Sequence, residues 1–246
     1  MLPFRGTAAT IDGLAPWART DTQRMQSFFV TGTDTGAGKT FASGTLLHAL
    51  RGRNLRAVGM KPVASGCERT AGGWRNEDAL ALLAASDPRP PYADLNPYAL
   101  PEPLAPEIAA REAGVTLALP TIVAAYQRLQ ALADVVVVEG VGGWAAPLSA
   151  SLDQVDVVRA LRLPVVLVVG MRLGCLNHAR LTARAIRADG ADLIGWIANE
   201  VDPEMARRDE NFELLKARID APCWGRLAHC APADPAAMAG RVVLPG

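Results

Sequence analysis

The chain lacks several things at once. It has no net charge, with 25 basic against 25 acidic residues. A bulk electrostatic match to nucleic acid is therefore not expected. It has no apolar run of membrane-spanning length; the longest, at Val135–Val138 and Val165–Val169, are strand-sized. Its four cysteines, Cys67, Cys175, Cys223 and Cys230, show no C-x-x-C spacing. That argues against a zinc site or a disulfide framework and fits a reducing cytoplasm. No internal repeat and no low-complexity tract is visible. Lysine is scarce: Lys39, Lys61 and Lys216 are the three lysines among the 25 basic residues. Where arginine serves almost everywhere, a retained lysine draws attention to itself as a compact point charge.

Half of the 246 residues are hydrophobic, enough for a substantial core. Residues 1–24 hold Pro3, Gly6, Gly13 and Pro16 with no apolar period and no signal-peptide core, and Met25 stands just before the first strand. A disordered leader over 1–24 and a single domain over 25–246 are expected. From there strand-like and helix-like segments alternate. The predicted strands are Phe28–Gly32, Ala57–Lys61, Val135–Glu139, Val165–Gly170, Leu193–Asn199 and a short one near Cys223–Leu227. The predicted helices are Thr40–Arg53, Glu77–Ala85, Thr121–Ala133, Gln154–Leu161, Leu176–Asp189 and Glu204–Ile219. Most strands are continuous apolar runs, as in parallel strands covered on both faces. This predicts an α/β fold: a doubly wound, mainly parallel sheet with helices on both faces. The proline-dense stretch 87–106 reads as a long loop over one edge.

Ligands of such sheets bind at the carboxyl ends of the strands. After the first strand comes Thr31-Gly32-Thr33-Asp34-Thr35-Gly36-Ala37-Gly38-Lys39-Thr40-Phe41, the strand, loop and helix start of a phosphate-binding loop. Its N–H groups and the helix dipole face anionic oxygens, Lys39 reaches the outer phosphates, and the Thr40 hydroxyl holds Mg²⁺. Five residues separate Gly32 from Gly38, one more than in G-x-x-x-x-G-K-[ST]. The second strand ends in Lys61-Pro62-Val63-Ala64-Ser65-Gly66 and the third in Glu139-Gly140-Val141-Gly142-Gly143. The fourth leads to Gly174-Cys175-Leu176-Asn177-His178, and the fifth ends in Asn199-Glu200. Glu139 is placed to bind Mg²⁺. Asp78 sits in a first helical turn, where an acid usually serves the dipole; with Thr40 and Glu139 it would also complete a Mg²⁺ set. Lys61 is either a surface lysine or the neutraliser of a transferring phosphoryl group. Ser65 offers a hydroxyl in the same loop. His178 reads as structural, and His48 and His229 have no convincing partners.

These blocks, with Arg75-Asn76-Glu77-Asp78-Ala79-Leu80, Asn96-Pro97-Tyr98 and Gly195-Trp196-Ile197-Ala198-Asn199, resemble in order those of the dethiobiotin synthase family over about residues 27–200. The longer loop spacing is a habit of that family. The resemblance implies a P-loop ligase, a cytoplasmic homodimer whose substrates are 7,8-diaminononanoate, CO₂ and ATP. It implies Mg²⁺ at Thr40, Asp78 and Glu139, and Lys39 and Lys61 as catalytic residues. It implies nucleotide contacts from Gly36, Ala37, Gly38, Lys39, Thr40, Phe41, Asp78, Glu139, Gly140, Val141, Gly142, Asn199 and Glu200. Thr35, Lys61, Ser65, Gly174, Cys175 and Asn177 would contact the substrate, the last three across the dimer. Gly36, Glu107 and Ala228-His229-Cys230 depart from common family residues. Two other readings share the fold. A partitioning-type ATPase switch would carry an extra lysine early in the loop, where Thr33, Asp34 and Thr35 stand. A cobyrinate-type amidating domain would need a glutaminase domain, for which there is no room.

Overall fold

A computed structural model describes residues 27–245. The expected leader at 1–24 and the Met25 start lie outside the described residues. Six strands form the main sheet: β1 (Phe28–Gly32), β2 (Ala57–Met60), β3 (Val135–Glu139), β4 (Val165–Gly170), β5 (Leu193–Asn199) and β6 (Cys223–Leu227). Their order is β6-β5-β4-β1-β3-β2, and every neighbouring pair is parallel. The longer helices are α1 (Lys39–Arg51), α2 (Glu77–Ala85), α3 (Leu119–Leu132), α4 (Gln154–Leu161), α5 (Cys175–Ala188) and α6 (Arg208–Lys216).

Alternate residues of the unbroken apolar strands feed two separate cores. Phe28, Val30, Val135, Val137, Val166 and Val168 pack with Leu46, Leu47 and Leu50 of α1 and Leu82 of α2. Phe29, Val136, Val138, Leu167 and Val169 pack on the other face with Ile122 and Leu129 of α3, Val157 of α4, Ile186 of α5 and Leu215 of α6. The sheet is therefore wound on both sides, as predicted. Residues beyond Pro235 return over α1, where Leu244 is buried and Arg53 donates to the Leu244 and Pro245 carbonyls.

Two expectations need correction. The last long helix starts at Arg208, not Glu204. The Asp202 side chain accepts from the Glu204 N–H, and Arg207 takes a left-handed φ of 53°, so the chain turns before it winds. The stretch 87–106 is not wholly loop. It holds a helical turn, Tyr92–Leu95, and a strand, Tyr98–Leu100, parallel to Val63–Ser65. A further helix, Pro106–Glu112, begins at its end. These elements lean on tertiary partners: Asn96 Nδ2 donates to the carbonyls of Lys61 and Tyr98. No local period announces such contacts. A small hairpin, Glu68–Thr70 with Gly73–Arg75, also went unpredicted. Among the described residues no helix is long and apolar enough to cross a membrane.

Candidate active site

The loop between β1 and α1 closes on Gly38, whose left-handed φ of 79° caps the helix. A side chain has no room there, because an added Cβ would lie 1.9 Å from Asn199 Nδ2. Asn199 reaches across from the end of β5 and donates to the Ala37 carbonyl at 3.1 Å. The Lys39 side chain folds over the loop. Its ammonium donates to the carbonyls of Gly142, at 2.6 Å, and Asp34, at 3.2 Å. Burial, with the nearby charge of Lys61, lowers the Lys39 pKa to about 8. An anion bound beside Lys39 would offset these effects by Coulombic attraction.

Strand register brings the remaining charges together. Met60 pairs with Val138, so the residues that follow them, Lys61 and Glu139, lie side by side at the carboxyl edge of the sheet. Glu139 is 0% exposed. Lys61 Nζ lies 2.6 Å from Glu139 Oε1 and 2.9 Å from Asp78 Oδ2. Burial opposes the charge on Lys61, but Glu139 and Asp78 outweigh it and raise its pKa, so the ammonium is held charged. Burial likewise opposes the Asp78 carboxylate, and Lys61 with the Thr40 hydroxyl overcomes it, lowering its pKa. Asn76 caps α2 by accepting from Ala79 N–H, which sets Asp78 in the first turn facing Lys61. Thr40 Oγ1 donates to Glu139 Oε1 at 2.9 Å.

The donor set suits Mg²⁺. Thr40, Asp78 and Glu139 offer hard oxygens, and Glu139 Oε2 is buried without a hydrogen-bond partner. Among the described residues there is no larger cluster of His, Cys, Asp or Glu. Mg²⁺ takes one or two carboxylates beside phosphate and water, so the short set is no obstacle.

A cavity of about 550 Å³ opens over Thr40, Lys61 and Asp78, with the fully buried Glu139 behind them and not in its lining. Thr35, Gly36, Gly38, Lys39, Thr40, Lys61, Ser65, Asp78, Val141 and Gly142 all line it. The Gly140 carbonyl accepts from Lys61 at 3.3 Å. A second cavity of about 220 Å³ is lined by Phe41, Asn199 and Glu200 with Ala228, His229 and Cys230. Both Glu200 oxygens are taken, Oε1 by Arg226 at 2.5 Å and Oε2 by Arg208 at 2.9 Å. Glu200 thus braces the wall of that cavity. Gly174, Cys175 and Asn177 line neither cavity. They form the start of α5, with Gly174 at φ 94° and the Cys175 side chain in the core. Burial pushes the Cys175 thiol pKa up.

Sequence reasoning assigned no role to Tyr92 or Asn96. The Tyr92 hydroxyl accepts from Asn76 N–H and donates to Asn96 Oδ1, while Asn96 holds the Lys61 carbonyl. The pair therefore links the backbone positions of Lys61 and the α2 cap. Apart from this contact with each other, their partners Asn76 and Lys61 lie 16 and 35 positions away, and no residue spacing signals them.

A parallel sheet that carries a glycine loop, two buried lysines and paired carboxylates at its carboxyl edge defines a P-loop nucleotide-binding protein. Residues 26–236 match the model of a family described as "AAA domain". The chain is 68% identical over 219 residues to the ATP-dependent dethiobiotin synthetase BioD of Xanthomonas euvesicatoria, covering 89% of this chain and 98% of that one. It is 65% identical over 219 residues to the enzyme of the same name from Xylella fastidiosa, covering 89% and 97%. This protein belongs to the ATP-dependent dethiobiotin synthetase family. Among solved structures, the MinD cell division protein of Aquifex aeolicus shares the fold alone, with a TM-score of 0.51 and 14% identity over 84% of this chain and 83% of that one.

Proposed function

We propose that this protein forms dethiobiotin from 7,8-diaminononanoate, CO₂ and ATP, releasing ADP and phosphate. The observation that carries this reading is the pair of buried ammoniums, Lys39 and Lys61, on one cavity with the phosphate loop. The name shared by its relatives supports the substrate. One amine of the diamine takes up CO₂ as a carbamate. A carbamate oxygen attacks the γ-phosphorus, the bond to ADP breaks, and a carbamic–phosphoric anhydride results. The second amine attacks the carbonyl carbon, and phosphate leaves as the cyclic urea closes. Lys61 and Lys39 neutralise charge that grows on the carbamate and the transferring phosphoryl group. Thr40, Asp78 and Glu139 hold Mg²⁺, which supplies charge neutralisation at the phosphates. Phe41, Asn199 and Glu200 frame the base. Thr35 and Ser65 meet the diamine end of the substrate.

The substrate's carboxylate tail is received at the start of α5 in a second copy of the chain, within a homodimer. The favourable charge of a helix N-terminus supports this. The four unpaired cysteines fit a cytoplasmic site of action.

ADP release is expected to require both the diamine and bicarbonate. Release that continues unchanged when either is omitted would overturn the reading and favour a nucleotide switch. Sedimentation at assay concentration is expected to give a dimer; a fully active monomer contradicts the shared site. Thr40→Val and Glu139→Gln should each raise the Mg²⁺ concentration for half-maximal turnover about tenfold, equivalent to about 1.4 kcal/mol. Thr40→Val should keep a wild-type melt within a few degrees, while Glu139→Gln, which removes one partner of the buried pair with Lys61, should melt lower. Unchanged Mg²⁺ dependence in a folded variant removes that residue from the metal set.

A further inference from the structure

The loop Gly140–Gly143 touches both lysines of the site. The Gly140 carbonyl accepts from Lys61 and the Gly142 carbonyl from Lys39. A loop with glycine at three of four positions does not hold two carbonyls in place by itself. Gln154 does this. It is 2% exposed, and its carboxamide spans the loop. Oε1 accepts from Val141 N–H at 2.8 Å, and Nε2 donates to the Gly143 carbonyl at 2.9 Å. The loop wraps Gln154 closely, since a Cβ on Gly140 would lie 2.4 Å from Gln154 Oε1. The side chain is itself anchored. Gln154 is the first residue of α4, whose start is closed by a capping box between Asp153 and Asp156. Its own N–H donates to the Ala146 carbonyl.

We propose that Gln154 is a positioning residue for nucleotide binding: its carboxamide fixes the Gly140–Gly143 loop so that the Gly142 carbonyl holds the Lys39 ammonium over the phosphate site. The inference rests on the phosphate-binding role given to Lys39 above. A carboxamide accepts from one loop group and donates to another while staying neutral at every pH. An ionised carboxylate accepts only, and a thioether of equal length does neither.

The test is calorimetric titration of ATP, in the presence of Mg²⁺, into four proteins: wild type, Gln154→Met, Lys39→Met and the double variant. Gln154→Met is expected to raise the Kd for ATP about tenfold. In the Lys39→Met background the same change is expected to add less than twofold, because the group it positions is gone. A purely packing role would not show that dependence. An unchanged Kd in Gln154→Met, or an equal loss in both backgrounds, overturns the proposal. Should Gln154→Met fail to fold, Gln154→Glu keeps the length and the acceptor and is read by the same cycle. ATP binding is measured without the diamine, so this result stands apart from the ADP-release test of the overall reaction.

Discussion

Lys61→Gln is expected to lower kcat about a hundredfold, a loss of roughly 3 kcal/mol of transition-state stabilisation. The KM for ATP should rise far less. The ammonium faces charge that appears as the carbamate and phosphoryl group react, so its contribution falls mainly on the transition state. Lys61→Arg should recover little. Nζ is already clamped within 2.6 Å of Glu139 and 2.9 Å of Asp78, a space that suits a point charge and not a planar fork. The structure adds a second effect that the sequence does not suggest. Lys61 is the countercharge of a fully buried Glu139. Removing one partner of such a pair costs about 3 kcal/mol of stability. The apo variant should therefore melt lower. Steady-state kinetics on protein shown to be folded by thermal melts separates the two effects. A folded Lys61→Gln protein with near-normal kcat would make Lys61 a structural countercharge and nothing more.

The second large effect is expected at Gly38. Gly38→Ala meets two penalties. The left-handed φ of 79° costs a residue with a Cβ about 1 kcal/mol. The Cβ also falls 1.9 Å from Asn199 Nδ2, so Asn199 must move and its bond to Ala37 is lost. Together these should weaken ATP binding about a hundredfold, near 3 kcal/mol. Gly36→Ala is the internal comparison. Gly36 has a similar φ of 72°, but no atom lies within 4 Å of its added Cβ. It should show the strain alone, about 1 kcal/mol or a roughly fivefold loss of ATP affinity. Calorimetric titration of both variants checks the contrast. Equal losses at the two positions would mean that the contact with Asn199 does not matter. Retained affinity in Gly38→Ala would mean that the loop opens freely.

Several of these features are legible in the amino-acid sequence alone. Continuous apolar runs at Phe28–Gly32, Val135–Glu139, Val165–Gly170 and Leu193–Asn199 coincide with observed strands end to end. Such runs, short and alternating with helical segments, are favourably buried on both faces of a parallel sheet, so the pattern carries the fold class. The phosphate loop is equally plain, because Gly38-Lys39-Thr40 after a strand has a local physical meaning. So is the placement of Lys61 and Glu139, since a residue that ends a parallel strand must emerge at the ligand-binding edge.

Other features have no local cause and emerge only in the tertiary structure. Asp78 reads by itself as a residue for the helix dipole; the 2.9 Å approach to Lys61 makes it part of the charged cluster. The stretch 87–106 reads as loop, yet Asn96 and Tyr92 tie it to Lys61 and Asn76. Glu200 is expected at the nucleotide; that Arg208 and Arg226 hold both of its oxygens in the cavity wall is visible only in the fold. Gln154 draws no notice as the start of a helix and proves to clasp the Gly140–Gly143 loop. By itself the sequence determined which segments are buried and which strand ends carry polar and glycine-rich residues, because apolar period and glycine geometry act over a few residues. Which polar group faces which was decided by the tertiary arrangement of strands and loops, because a hydrogen bond or ion pair depends on ångström separations between residues as far apart in the chain as Ala37 and Asn199.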